Sequence, residues 1–197
     1  DSRSPFWQIA ALHAGYTHKN VLHGISFDVH PNEIVGLIGL NGAGKSTTIK
    51  HIIGMMQAKK GQVAINGKRF EENPEAYRQQ MAYKRLDPLL KEFRMEKKLH
   101  WFPVHFSKGM RQKVMIMCAF LIEPSLYIVD EPFVGLDPLG IQSYLQLMED
   151  MKQEGAGVLM STHILATAER YCDRFVILHD GEIRAKGTLE ELREAFQ

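Results

Sequence analysis

The pattern of apolar and polar residues along the chain predicts a series of short strands. Residues 25–29 alternate between apolar and polar side chains, as in a strand with one buried face. Nearly continuous apolar runs, typical of strands buried on both faces, lie at 33–38, 126–129 and 158–161. A further strand is predicted at 81–83. Because segments of helical character separate these strands, the pattern predicts an α/β fold with helices on both faces of a sheet.

Helices and hairpins fill the intervals between the strands. Helical segments are predicted at 46–56, 109–121, 138–153 and 164–171, with a last helix after residue 188. Pro138 stands at a first-turn position that proline tolerates, and Glu191 completes a capping box with Thr188. Asn-Gly and Asp-Gly pairs predict two hairpins, which join 62–65 to 68–70 and 174–179 to 182–186.

Residues 39–46 match the phosphate-loop pattern G-x-x-x-x-G-K-[ST] between a buried strand and a helix. Glycines let such a loop curl until its N–H groups point at phosphate oxygens, and the helix adds its N-terminal dipole. Lys45 would reach the β- and γ-phosphates, and the Ser46 hydroxyl would bind Mg²⁺. The residues predicted to bind nucleotide here are Gly39, Asn41, Gly42, Ala43, Gly44, Lys45, Ser46 and Thr47. The loop by itself indicates a nucleoside triphosphate, since kinases, GTPases and motor ATPases share it.

An acidic pair, Asp130 and Glu131, follows the apolar run at 126–129. Ligands bind α/β sheets at the carboxyl ends of the strands. Asp130 would therefore hold Mg²⁺, through water, and Glu131 would orient or deprotonate the attacking water. The alternative is a pair of solvated acids in a turn before Pro132, and the matching phosphate loop favours the catalytic interpretation.

The composition is that of an ordinary globular protein, with 197 residues, 45% hydrophobic and 24% charged. A count of 24 basic against 23 acidic residues gives a net charge of +1, which argues against a protein that binds nucleic acid mainly through charge. Cys118 and Cys172 are too few for a metal cluster or disulfide scaffold, so we expect them reduced and buried. No apolar run has the length of a membrane span, and residues 1–5 show no signal-peptide pattern. We therefore expect a soluble cytosolic protein.

The order of these motifs resembles that of the ATP-binding cassette (ABC) ATPases, the nucleotide-binding subunits of ABC transporters. The resemblance implies a P-loop NTPase core with a mixed sheet, an N-terminal antiparallel β-subdomain and a helical subdomain. Within the family, the stretches 107–110 and 131–138 are most similar to stand-alone bacterial cassettes of the Ecs type.

The stretch 106–112 stands where this family has its signature sequence, whose usual form is Leu-Ser-Gly-Gly-Gln. Ser107 and Gly109 are retained, and the resemblance implies that they bind the γ-phosphate of ATP held by the opposing subunit. Lys108 and Met110 replace two other signature residues, and a loop lysine is ordinarily a solvated charge.

Three further residues take their predicted roles from the resemblance. Asp137 matches the D-loop, which lies across the dimer interface, and His163 matches the switch histidine that contacts the γ-phosphate. Tyr16 stands where the family has an aromatic residue that stacks on adenine. An ordinary loop tyrosine is the alternative at that position.

Compared with the family, this chain also has too few residues between the phosphate loop and the signature. A glutamine that contacts Mg²⁺ and most of a helical subdomain should follow 81–83, but Lys84 follows at once, so no glutamine-loop residue is assigned. Either the chain carries a deletion or a mobile stretch is left out between about Tyr83 and Lys84, which is the explanation we favour. We expect one ABC ATPase domain over 1–197, divided as the following ranges give: core and β-subdomain, 1–83 and 123–197; remnant of the helical signature subdomain, 84–122.

The implied function is ATP hydrolysis to ADP and phosphate, with Mg²⁺ as cofactor. Two copies, or one copy and a paralogue, would sandwich ATP head to tail and drive transport through separate membrane subunits. The protein would be cytoplasmic, peripheral on the inner face of the cell membrane, with no nucleic acid partner. The alternatives are a non-transport ABC ATPase of translation or DNA repair and an ATP-binding regulatory switch. The presence of Glu131 and His163 argues against the switch.

Overall fold

The computed structural model describes residues 7–79, 81–84 and 126–195. The strands in chain order are β1 (Trp7–Tyr16), β2 (Lys19–Val29), β3 (Glu33–Ile38), β4 (Lys60–Ile65), β5 (Lys68–Arg69), β6 (Met81–Lys84), β7 (Leu126–Asp130), β8 (Gly157–Thr162), β9 (Arg174–His179) and β10 (Glu182–Gly187). The helices are α1 (Lys45–Ile52), α2 (Pro74–Gln79), α3 (Pro138–Gln153), α4 (Leu165–Tyr171) and α5 (Leu189–Ala195). The predicted signature residues Ser107 and Gly109, Cys118 and the predicted helix at 109–121 lie outside the described residues.

The larger sheet has six strands in the order β10–β9–β3–β8–β7–β6. β3 is parallel to β8 and β9, and β7 is parallel to β6 and β8. β10 is antiparallel to β9, so the sheet is mixed, as predicted. Because β3 lies between β8 and β9, the loops that follow β3 and β8 meet at one edge of the sheet.

The smaller sheet is antiparallel and has the strand order β2–β1–β4–β5, which confirms the predicted N-terminal β-subdomain. Its first strand, β1, was not predicted from the sequence. Ala11 has a left-handed φ of 47°, and the pairing with β2 shifts register on either side of Leu12. Such bulges break the period-two alternation by which a strand is recognised.

Within the described residues the predicted elements are present, although β2 begins at Lys19 and not at residue 25. α3 begins at Pro138 and ends at Gln153 as predicted, and the capping box is formed: the Glu191 N–H donates to Thr188 Oγ1 at 3.2 Å. The predicted helix at 46–56 is too long, because α1 ends at Ile52. Gly54 follows with φ of 76°, the left-handed conformation that ends many helices.

Two apolar layers, one on each face of the larger sheet, form the core. Val35 and Leu37 of β3 pack into the layer shared with β1, β2 and α1. Ile34 and Ile38 pack into the opposite layer, together with α3. β3 is therefore buried on both faces, as its apolar run predicts.

Cys172 is a free cysteine that lies partly buried beside the second layer. Burial raises the pKa of its thiol to about 12, and the charge of Asp173 adds to this effect.

An ion-pair network links the two sheets. Arg174 of β9 donates from its guanidinium to Asp28 Oδ1 of β2 at 2.8 Å and to Glu33 Oε2 of β3 at 3.1 Å. Burial tends to raise the pKa of Asp28, but the hydrogen bond and charge of Arg174, with a contribution from His30, lower it overall. The same contacts raise the pKa of Arg174 against the opposing effect of burial.

Tyr83 and Lys84, between which a stretch was expected to be left out, are consecutive residues of β6, and both pair with β7. The preference for an omitted stretch over a deletion stays a prediction. Apart from Lys84, the predicted helical remnant at 84–122 lies outside the described residues. Among the helices that the structure describes, none is long and apolar enough to cross a membrane.

Candidate nucleotide-binding site

The phosphate loop connects the carboxyl end of β3 to α1. Gly42 and Gly44 have φ values of 86° and 110°, in the left-handed region that favours glycine. A Cβ at Gly39 would lie 2.7 Å from the Leu178 carbonyl oxygen, so the loop also needs glycine where it passes β9. The Gly181 N–H, in the β9–β10 turn, donates to the Ala43 carbonyl at 2.9 Å and holds the loop from behind. The backbone shape that the motif predicts is therefore built.

Lys45, the first residue of α1, is buried beneath the loop. Its Nζ donates to the carbonyl oxygens of Gly39 and Leu40 and lies 3.8 Å from Glu131 Oε1. Ser46 is exposed at the start of the same helix, whereas Thr47 is buried. The ammonium of the loop and the carboxylate after β7, which the sequence predicted independently, are thus in direct contact.

Ser161 of β8 anchors the acidic pair. Its hydroxyl donates to Asp130 Oδ1, and it accepts from the Glu131 N–H at 3.2 Å, while the Ser161 carbonyl accepts from the same N–H at 3.0 Å. Ser161 is fully buried. It was not among the predicted site residues, because its contact with Asp130 depends on the register in which β8 pairs with β7.

His163 follows β8 directly, and its Nδ1 lies 3.1 Å from both Glu131 carboxylate oxygens. An ionised carboxylate only accepts, so Nδ1 carries the proton in this contact. Glu131 itself has a left-handed φ of 46°, which turns its side chain between Lys45 and His163. The Glu131 carboxylate therefore contacts both Lys45 and His163, the two residues predicted to reach the γ-phosphate.

Two predicted residues make their described contacts with other partners. Tyr16 ends β1 with its side chain 53% exposed, and its hydroxyl accepts from Lys50 Nζ of α1 at 3.3 Å. Asp137 caps α3, where its Oδ1 accepts from the Gly140 N–H at 2.6 Å. The described contact of Asp137 is structural, and its predicted place at a dimer interface stays a prediction.

These features define the class of protein first. A glycine-rich loop lies between a buried strand and a helix, and its lysine contacts an acidic residue that follows a parallel strand two places away in the same sheet. That combination is the site of a P-loop nucleoside triphosphatase.

Comparisons with known proteins then give the family. A sequence model described as ABC transporter matches residues 22–93 and 84–134. The ABC-type transporter ATP-binding protein EcsA of Bacillus subtilis (strain 168) is 59% identical over 217 aligned positions, covering 94% of this chain and 88% of that protein. A solved structure described as the ATP-binding subunit of an ABC transporter has a TM-score of 0.82 and 52% identity, covering 97% of this chain and 93% of that chain. The chain therefore belongs to the ABC transporter ATP-binding family and is an ATPase subunit of that class.

The resemblance to Ecs-type cassettes, predicted from the sequence, is thereby confirmed. A more distant relative, the energy-coupling factor transporter ATP-binding protein EcfA of Methanocaldococcus jannaschii, is 30% identical over 208 positions, which cover 87% of this chain and 75% of that protein.

The alignment with EcsA also shows the predicted shortage of residues in this chain. The 217 aligned positions exceed the 197 residues of this chain, so at least 20 positions of the EcsA alignment have no counterpart here. The family match divides into two parts that both include residues 84–93, next to the point where the shortfall was expected.

Proposed function

We propose that the contact between Lys45, Glu131 and His163 is the catalytic centre of ATP hydrolysis. The supporting observation is that one carboxylate lies 3.8 Å from the phosphate-loop ammonium and 3.1 Å from an imidazole nitrogen. Bound phosphates would accept from the N–H groups of the loop and from Lys45. The oxygens that gain charge as the γ-phosphoryl group is transferred would then lie next to a cation.

In this proposal Glu131 orients the attacking water and accepts its proton as the new P–O bond forms and the bond to ADP breaks. His163 would contact the γ-phosphate and hold the Glu131 carboxylate in place through Nδ1. The left-handed backbone at Glu131, fixed by Ser161, supports this role because it directs the side chain toward the phosphate loop.

Mg²⁺ would be held by Ser46 and Asp130. A hydroxyl and a carboxylate are the hard oxygen ligands that Mg²⁺ prefers, and Mg²⁺ usually retains several waters and binds substrate phosphates. β3 and β7 lie two places apart in the sheet, about 10 Å, so Asp130 would act through water. When bound, the ion would neutralise charge on the transferring phosphate. Within the described ranges no three His, Cys, Asp or Glu side chains gather at a metal site, so phosphate and water would complete its coordination.

We extend the proposal to a head-to-tail dimer that encloses two ATP molecules. Each phosphate loop would face Ser107 and Gly109 of the partner, with Asp137 near the boundary. Large apolar side chains are exposed beside the site, on the phosphate loop at Leu40 and around the D-loop at Val134 and Leu139. Exposed apolar groups around a functional edge are typical of a surface that a partner covers. Tyr16 would stack on the adenine.

Separate membrane subunits would complete the transporter and would hold the protein peripherally on the inner face of the cell membrane. The names of the relatives support this, since EcsA and EcfA are called ATP-binding proteins of transporters. The proposed division of the chain is a single domain, 1–197, with core and β-subdomain at 1–83 and 123–197 and a helical remnant at 84–122.

The test of the catalytic centre is Glu131→Gln, which keeps the size of the side chain and removes the proton acceptor. We expect kcat to fall about 100-fold or more while ATP binding persists and an ATP-bound dimer accumulates. Glu194→Gln, on the exposed side of α5, is the matched control and should change neither. Undiminished hydrolysis by Glu131→Gln would exclude Glu131 as the base.

A further inference from the structure

Lys50 holds the hydroxyl end of Tyr16. It lies in the last turn of α1, and its Nζ is 3.3 Å from the Tyr16 hydroxyl oxygen. The two residues are 34 positions apart in the sequence, and the contact joins the antiparallel β-subdomain to the helix of the phosphate loop.

The ammonium lies beyond the hydroxyl and not over the ring. Its distance to the ring centre, 5.9 Å, is nearly the sum of the 3.3 Å contact and the length from the ring centre to the hydroxyl oxygen. The Lys50 ammonium therefore sits near the plane of the Tyr16 ring, in line with the C–O bond. A cation in this position contacts neither face of the ring.

A second lysine fixes the backbone of the same residue. Lys59 Nζ donates to the Tyr16 carbonyl oxygen at 3.2 Å and to Asn20 Oδ1 at 2.9 Å. Lys59 thus ties the two sides of the β1–β2 hairpin together. With its main chain held by Lys59 and its hydroxyl by Lys50, Tyr16 keeps a defined direction although its side chain is 53% exposed.

We infer that Lys50 is a positioning residue for the nucleotide base, which fixes the Tyr16 ring relative to the phosphate loop. This inference rests on the proposed function, in which Tyr16 stacks on adenine. Lys50 and Lys45 are on the same helix, five residues or about 7.5 Å of rise apart. The short helix α1 therefore sets the distance between the phosphate site and the Tyr16 ring. A platform that is ordered before the nucleotide binds loses less side-chain entropy on binding.

The test compares two ligands, Mg-ATP and Mg-tripolyphosphate, by calorimetry. Lys50→Met removes the donor but keeps the apolar stem, and we expect it to weaken ATP binding about three- to tenfold. Tripolyphosphate has no base, so its affinity should not change. Lys50→Arg should restore most of the ATP affinity. Lys60→Met, which removes an exposed lysine of β4, is the charge-matched control and should affect neither ligand.

Tyr16→Phe removes the hydroxyl and keeps the ring. It should reproduce the effect of Lys50→Met, and the double variant should be no weaker than either single one. Equal weakening of ATP and tripolyphosphate by Lys50→Met would overturn the inference, because Lys50 would then act on the phosphates or on the fold.

Tyr16→Ala distinguishes a failure of the role inferred for Lys50 from a failure of the role proposed for Tyr16. If Tyr16→Ala leaves ATP affinity unchanged, the assignment of Tyr16 to the base fails. If Tyr16→Ala weakens ATP binding and Lys50→Met does not, only the role of Lys50 fails.

Discussion

Replacing Arg174 by Met should loosen the junction between the two sheets. The guanidinium donates to the Asp28 carbonyl at 2.7 Å and to its carboxylate at 2.8 Å, and it reaches both Glu33 carboxylate oxygens at 3.1 Å. Methionine fills part of the space but leaves these acceptors without the charge that faces them. The variant therefore tests whether this network holds the strand that leads to the phosphate loop against the β-subdomain.

The size of the loss follows from how far the partners are buried. Side-chain exposure is 32% for Arg174, 36% for Asp28 and 14% for Glu33. Breaking a buried ion pair costs about 3–5 kcal/mol, and an exposed pair contributes about 0–1 kcal/mol. A network one-third exposed lies between these limits, so we expect a loss of about 2 kcal/mol. For a chain of this length that corresponds to a fall in Tm of roughly 4–8 °C.

The pH dependence gives a second, independent expectation. The pKa of Asp28 is lowered below its ordinary value of 3.8 in the folded protein. A carboxyl with a lowered folded-state pKa contributes stability above its unfolded pKa, and this contribution is lost as pH falls through the folded value. The stability difference between the wild type and Arg174→Met should therefore be largest near neutral pH and should narrow as the pH falls toward and below about pH 4.

The assay is urea unfolding, followed by circular dichroism at several pH values. Arg184→Met is the matched control, because Arg184 is 56% exposed and pairs with the exposed Glu182 at 3.5 Å. It should cost less than about 0.5 kcal/mol. Equal losses in the two variants, or a loss for Arg174→Met that does not change with pH, would refute the reasoning.

Three further outcomes are expected. Lys45→Ala should abolish ATP binding measured by calorimetry, and unchanged affinity would remove Lys45 from the phosphate site. Ser161→Ala should lower stability by about 1–3 kcal/mol, because the Asp130 carboxylate loses its hydroxyl donor, while the Glu131 N–H keeps its bond to the Ser161 carbonyl. It should also lower kcat, and turnover at the wild-type rate would show that this anchor is dispensable for catalysis. Ser107→Ala should impair hydrolysis while sparing ATP binding to the isolated monomer, and weaker monomer binding would contradict a role on the opposing subunit.

The sequence was most informative where local physics determines the structure. The phosphate loop could be predicted because its positive φ values at Gly42 and Gly44 require glycine. The bounds of α3 could be predicted because Pro138 is favoured in a first turn and Gly155, with φ of 99°, follows its end. β1 could not, since the bulge at Ala11 is set by its pairing with β2 and not by its own side chains.

The candidate site was predicted only in part, because some of its contacts join residues that are far apart in the sequence. Asp130 and Glu131 were predicted because they follow an apolar run, but Ser161, which holds both, is 31 positions from Asp130. Its contact depends on the register of β7 against β8. Lys50 of α1 was missed in the same way, because its partner Tyr16 ends β1, 34 positions away in the sequence. Residues that act through a contact distant in the sequence are found only once the strands are paired.

The backbone of Glu131 shows how closely the fold controls this carboxylate. A left-handed conformation costs a residue with a long side chain about 1 kcal/mol or more, and glycine or asparagine would adopt it at lower cost. Here the cost is offset by the two hydrogen bonds that the Glu131 N–H makes to Ser161, and the side chain is then placed beside Lys45 and His163. A strained residue that persists between several anchors is typical of functional sites. The turn alone would favour another residue, so a glutamate held at this position is consistent with the catalytic role that we propose for its carboxylate.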